Sequence, residues 1–566
     1  MSAIRPVRIV LALATVLLAG CASQPQKPFD TLITGGQVYD GSGSEPQVLD
    51  IGIIDDRIAA IGQLDRSQAT MVVDASGQAV APGFINMLSW ASDTLLHDGR
   101  GLSDIHQGVT LEVFGEGWSM GPWNPSMKAQ DLAQQGDIQY AIEWTSLGDY
   151  LEHLERTGVS PNVASFVGAT TVRIHELAEE NRAPNAEELE RMRELVRTAM
   201  KQGAMGLGSS LIYAPGFYAS TEELIALVDV VEDFGGSYIS HLRSEGNQLL
   251  QAVDEILEIA NATGAAVEIY HLKAGGKENW PKMDKAIAKI EAARKAGIDI
   301  RANMYTYTAG ATGLDAAMPP WVQEGGLDAW VQRLQDPAIR AKVKEEIETP
   351  TNEWENLYLA AGDPSKLLLI GFRSDALKPL TGKTLAEVAA QRGTSAADTM
   401  MDLVIEDHSR VGTVYFLMSE ENVAKQMALP WMSFGSDGGA MAPEGVFLRS
   451  STHPRAYGNF ARVLGKYVRD EQVLSLSEAV RKLTSLPAQH LKIRQRGELK
   501  VGNYADIVVF DPETVTDHAT FVEPHRLATG INHVWVNGQQ VLANGVHTGA
   551  TPGRVVRGPG WTGWQQ

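Results

Sequence analysis

The chain has 566 residues, with 48 Lys and Arg against 69 Asp and Glu, giving a formal net charge of −21. With 44% hydrophobic and 21% charged residues, the composition excludes disordered, collagen-like and coiled-coil chains. The single Cys excludes an internal disulfide framework, and the acidic balance excludes general nucleic-acid binding, which needs a basic footprint.

At the N-terminus Arg5 and Arg8 introduce an apolar run over 9–18. Its length of about 10 residues is too short to span a bilayer as a mature helix. The run leads into Leu18-Ala19-Gly20-Cys21. This resembles a bacterial lipoprotein signal, in which the Cys thiol is acylated and becomes the first mature residue. Residues 1–20 are therefore read as a signal peptide, Cys21 as the lipidation site and 21–28 as a short polar tether. The expected location is the bacterial cell envelope, facing the periplasm, with membrane contact only through the N-terminal lipid anchor. No other stretch is long and apolar enough for a transmembrane helix.

The body opens with short strand-like runs. Thr31 to Tyr39 is one, and Val48 to Ile54 with Arg57 to Ile61 makes a hairpin across Asp55-Asp56. The C-terminal part has the same texture at Ala505 to Phe510 and Ile531 to Val541. One small β-domain built from both termini, 29–81 and 493–556, accounts for both. Between them, strand-like and helix-like pieces alternate: Ser237 to Ser240, helical 247–262, Ala266 to Tyr270, helical 282–296, Ile298 to Ala302. Such alternation predicts parallel βα units. About 30 residues per unit over some 400 residues fits a (β/α)8 barrel. The expected fold class is thus α/β, a barrel over 82–492 with a small β-sandwich domain. Residues 310–366 break the rhythm and are read as an insertion over the barrel mouth.

Barrel enzymes carry their chemistry at the C-terminal ends of strands. Four predicted strand ends bear ligand-type residues: Glu116, His241, His271 and Asp437. His241 and His271 are 30 residues apart, one βα repeat, so they face the same mouth from adjacent strands. Two imidazoles and a carboxylate suit Zn²⁺ with one position left for water. By spacing alone, buried histidines that merely cap strands are the commoner explanation.

Longer motifs shift that balance. Pro82-Gly-Phe-Ile85 resembles the opening of an amidohydrolase-superfamily barrel. Tyr238-Ile-Ser-His-Leu-Arg-Ser-Glu-Gly246 and Tyr270-His-Leu-Lys273 resemble the two histidine motifs of D-aminoacylases, the N-acyl-D-amino-acid deacylases. Gly435-Ser-Asp-Gly438 is similar to their catalytic aspartate motif, and further similar segments lie at 305–310, 453–462, 483–487, 502–512 and 548–554. The likeness runs from about residue 30 to 556.

One departure stands out. Family members with a complete metal site have His-x-His after the opening motif, whereas this chain has Leu88 and Trp90 there. Neither binds a metal. The resemblance also implies a bridging Cys where Glu116 stands. The expectation is a divergent branch with one Zn²⁺, held by Glu116, His241 and His271, with Asp437 as the catalytic acid–base. Asp93, His97 or His106 as replacement ligands are the rival arrangement.

The resemblance further implies that Lys273, Tyr305 and Arg455 hold the substrate carboxylate, with Tyr307 as the alternative to Tyr305. Trp280, Trp321 and Trp431 are candidates for an apolar pocket, with core packing as the default. His408, His490, His518, His525, His533 and His547 are read as structural. The expected activity is zinc-dependent hydrolysis of a small-molecule amide, releasing D-amino acids from N-acyl-D-amino acids or D-residue dipeptides. Hydrolysis of another, cyclic amide and a non-catalytic lipid-anchored binding protein are the alternatives.

Overall fold

The computed structural model describes residues 28–565. Residues 1–27, on which the expected signal peptide, Cys21 and nearly all of the expected tether fall, lie outside the described residues.

Strand Phe29–Val38 pairs antiparallel with Gln47–Ile54, which turns at Asp55 to pair with Arg57–Gly62. On its other edge it runs parallel to Ala69–Asp74 and then to Ala79–Pro82. Ala79–Pro82 pairs antiparallel with Ile507–Phe510, and the sheet continues through Ile531–Val536, Gln539–Ala543 and Val546–His547. Nine strands from both ends of the chain thus share one sheet. The sheet closes over a core in which Ile51, Ile53 and Val80 meet Ile507, Val509 and Trp535. Asn537 (φ 48) and Gly538 (φ 77) supply the two positive φ values that a two-residue hairpin turn demands.

The central domain is a ring of eight parallel strands: Phe84–Asn86, Val109–Phe114, Asn162–Ser165 with its continuation Val167–Gly168, Gly206–Ser210, Ser237–His241, Ala266–Ile269, Ile300–Met304 and Met432–Phe434. The ring is closed by Met87 N donating to Phe434 O (3.1 Å) and Asp437 N donating to Leu88 O (2.9 Å). Intervening helices carry one apolar stripe each. In Leu249–Thr263 the buried positions are Leu249, Ala252, Val253, Ile256, Ile259 and Ala260, the spacing of a single helix face, and Gly264 ends it in the left-handed conformation. Helix Ala186–Lys201 starts from Asn185, whose side chain accepts from Glu187 N and Glu188 N while Glu188 bonds back.

The insertion is longer than the expected 310–366. Strands Gly310–Gly313 and Leu367–Gly371 both pair antiparallel with Gly412–Tyr415, so the unit extends to Tyr415. It also has a core of its own, including Leu314, Trp330, Val343, Leu369, Met401 and Val404. Leu367–Gly371 followed by a helix imitates a further βα unit, but its hydrogen-bonding partner is Gly412–Tyr415 and not a barrel strand. Among the described residues, no helix is long and apolar enough to cross a membrane.

Candidate metal centre

Strand Val109–Phe114 is buried throughout. Leu111 and Val113 pack inside the barrel with Ile85, Phe166 and Ile239, while Phe114 packs among the helices. Simple alternation would send Glu116 toward the helices as well. Gly115 breaks the alternation at φ 109, where a Cβ would lie 2.4 Å from Phe166 O, and Gly117 follows at φ 70. Glycine at these two positions turns Glu116 into the barrel mouth.

His241 ends its strand, and His271 follows the next one. His271 sits at φ 33, a conformation that L-residues avoid. It is held there by Asn303, whose Oδ1 accepts from His271 N (2.8 Å) and whose Nδ2 donates to Glu268 Oε1 (2.7 Å). The two imidazole rings are 4.5 Å apart at 88°. His241 Nδ1 lies 3.0 Å, and His271 Nε2 2.8 Å, from the same oxygen, Glu116 Oε1. One donor atom from each of the three residues falls within 4.8 Å of the others, and all three are buried.

The charges around this cluster favour a bound cation. Burial would raise the Glu116 carboxyl, but the charge of His271 and hydrogen bonds from both imidazoles hold it well below the usual carboxylate range. Glu245 is buried beside them and is held low in the same way by His241, Lys273 and His271. Burial and Lys273 push the His271 imidazole down, yet Glu116 and Glu245 outweigh them and push it up to about 9. Two carboxylates thus enforce a positive charge among two nitrogen donors, and His241 Nε2, 3.4 Å from Glu245 Oε2, has no hydrogen-bond partner among the described residues. This donor set fits a zinc ion. Asp93, His97 and His106 are not part of the cluster: Asp93 lines the cavity wall, His97 packs edge-on to Phe447 at 5.5 Å, and burial pushes His106 down to about 4.

Asp437 stands next to the cluster. Its Oδ2 accepts from Arg455 Nη2 (2.8 Å) and its Oδ1 from Trp90 Nε1 (3.0 Å). Burial raises its carboxyl despite Arg455, and Glu116 adds to the rise. Lys273 Nζ donates to Glu245 Oε1 (2.6 Å) and lies 2.8 Å from His271 Nδ1. The Arg455 guanidinium lies 4.5 Å from the Tyr305 ring centroid, and its Nε and Nη1 are buried without partners. Tyr305 lines the cavity with Lys273 and Arg455, whereas the Tyr307 hydroxyl donates to Asp517 Oδ2 (3.3 Å). The cavity measures about 990 Å³, with one wall from the insertion.

Sequence reasoning passed over several wall residues. Glu245 lies four residues after His241 in a motif already singled out. Trp90 was noted only for the histidine it replaces. His525, read as structural, lies on the cavity wall with its Nε2 3.0 Å from Ser450 O. Trp280, Trp321 and Trp431 lie off the cavity; the indole N–H of Trp280 donates to Leu417 O and that of Trp321 to Glu346.

Residues 71–542 match the model of the Amidohydrolase family. The D-aminoacylase of Alcaligenes xylosoxydans xylosoxydans is 34% identical over 534 residues, 94% of this chain and 98% of that one. A solved D-aminoacylase, described for its binuclear metal centre with one-metal activation and second-metal attenuation, superposes with a TM-score of 0.77 at 33% identity, covering 94% of this chain and 100% of the other. The N-acyl-D-glutamate deacylase of Bordetella bronchiseptica, solved with zinc and a phosphonate mimic of the tetrahedral intermediate, gives 0.76 at 30% identity, with 94% and 99% covered.

Proposed function

The chain belongs to the amidohydrolase family, and from that premise we propose that it is a metal-dependent hydrolase releasing D-amino acids from N-acyl-D-amino acids or from dipeptides that end in a D-residue. The observation that carries this reading is the convergence of Glu116, His241 and His271 on one point beside Asp437, at the edge of a cavity bearing Lys273, Tyr305 and Arg455.

Zinc held by Glu116, His241 and His271 would supply a Lewis acid for the scissile carbonyl and a water of lowered pKa. Asp437 takes the proton of the attacking water and delivers it to the leaving nitrogen, which departs as a neutral amine. Arg455 has two buried donor nitrogens with no partner among the described residues, an arrangement that costs free energy until an acceptor arrives. An α-carboxylate is the acceptor that matches a guanidinium fork. Lys273, paired with Glu245, adds its positive charge to the same wall. With the carbonyl directed at the metal ligands and the carboxylate at Arg455, the two enantiomers of a substrate present their side chains in different directions, which gives the site a basis for selecting one hand. Zinc-loaded protein assayed on N-acyl and dipeptidyl substrates of both hands tests this. Turnover of D-substrates at least about 100-fold above their L-counterparts, some 2.7 kcal/mol of discrimination, is expected. No turnover of any D-substrate overturns the reading.

The lipoprotein-like signal supports a place at the envelope, facing the periplasm, where D-residues from wall turnover are at hand. Cys21→Ala is expected to move the protein from the membrane to the soluble fraction and to abolish palmitate labelling. Unchanged fractionation removes the anchor from the proposal.

A further inference from the structure

We propose that Trp90 keeps this centre mononuclear by donating its indole N–H to the two carboxylates that a second cation would need. The assignment rests on the metal reading of the site. Glu116 Oε1 is committed to the two imidazoles, which leaves Glu116 Oε2 as its only spare oxygen. Asp437, on the other side of the indole, has its Oδ2 on Arg455 and only Oδ1 to spare, while Glu245 Oε1 is already taken by Lys273. Trp90 Nε1 lies 3.0 Å from Glu116 Oε2 and 3.0 Å from Asp437 Oδ1. Both spare oxygens therefore point at one hydrogen.

That hydrogen belongs to a group that is donor-only and does not titrate, so no change of pH turns it into a ligand. The backbone fixes where it stands. Trp90 N donates to Gly438 O (3.0 Å) and Ser89 N to Val113 O (3.0 Å), so the residue is laced to the strand ends on both sides. Leu88, two residues earlier, is 1% exposed and packs in the barrel interior, where a Cβ on Gly435 would come within 2.7 Å of it. The stretch offers no nitrogen or oxygen side-chain ligand at either position. A second cation between Glu116 and Asp437 would have to displace the indole and would find there one free oxygen from each carboxylate. Neutral hydrogen bonding, rather than a second ion, satisfies the pair.

The test is a zinc titration of the full-length holoprotein, read as bound metal per chain after equilibrium dialysis and, with Co²⁺ in place of zinc, as spin coupling between paired ions. Wild type is expected to saturate at one ion and to show no coupling. Trp90→Phe keeps the ring and deletes the N–H; it is expected to retain the first ion and to bind a second at least tenfold more tightly than wild type does. Trp90→His places an imidazole beside the same oxygens and is expected to bind the second ion more tightly still. A Trp90→Phe titration that coincides with wild type overturns the proposal whatever Trp90→His does, and so does wild type holding two ions. Wild type holding none overturns the metal reading itself, and the Trp90 assignment falls with it.

Discussion

Glu112 and Glu116 lie four residues apart on one strand and its end, both buried, and their carboxyls are shifted in opposite directions. Glu116 faces the mouth, where two imidazoles keep it ionised. Glu112 faces the helical layer, where Asn86 Nδ2 donates to its Oε2 (2.9 Å) and its Oε1 has no partner. Burial pushes Glu112 up to about 7, and it shares that layer with Asp104, whose carboxyl burial and Glu112 push up as well. The same residue type on the same strand thus has its carboxyl pushed down in one place and up in the other. Cationic partners make the difference, not burial.

Removing those partners breaks the comparison most severely. His241→Ala or His271→Ala is expected to lose zinc and to lower kcat/KM by about 10³-fold or more, measured by metal analysis beside kinetics. Asp437→Asn should retain the metal, because Asp437 is not one of the three converging residues, while kcat drops about 10²–10⁴-fold with the proton transfer. Arg455→Lys keeps the charge but loses the fork, and kcat/KM is expected to fall about tenfold for carboxylate substrates and little for amides lacking the carboxylate.

Glu112→Gln sharpens the comparison from its quiet side. Zinc content is expected to stay at the wild-type level and activity to stay within about twofold, in contrast with the loss at the mouth. Its signature is in stability. Between about 4.5 in the unfolded chain and about 7 in the fold, native Glu112 binds a proton that the unfolded chain has released. Its stabilising contribution is complete below 4.5 and is lost as pH rises toward 7. The amide cannot ionise, so Glu112→Gln should gain stability relative to wild type across that window, by an amount of order 1–3 kcal/mol. Urea unfolding at the two ends of the window measures it, and a constant difference between variant and wild type contradicts it.

The barrel, the sandwich and the residues that converge at the mouth were readable because each rests on a local rule. Strand and helix runs alternate, and a strand places its last polar residue at the rim. Glu116 could be named from its place after a strand, although the turn that brings it inward depends on Gly115 contacting Phe166. Glu245 escaped notice because an acid shortly after a strand also reads as the start of a helix. The far limit of the insertion was missed because Leu367–Gly371 pairs with a strand some 40 residues later, and sequence pattern does not report pairing partners. Trp90 was visible only as a missing histidine. That its N–H meets two carboxylates is a fact of three dimensions.

The insertion has its own core and contributes Thr312, Asp315, Trp330, Phe372 and Arg410 to the cavity wall, while Glu116, His241, His271 and Asp437 sit at or just past the ends of barrel strands. Part of the cavity wall and the groups that converge at its edge are consequently carried by units with different cores. Evolution, or an engineer, can exchange the first for a different substrate range and leave the second untouched.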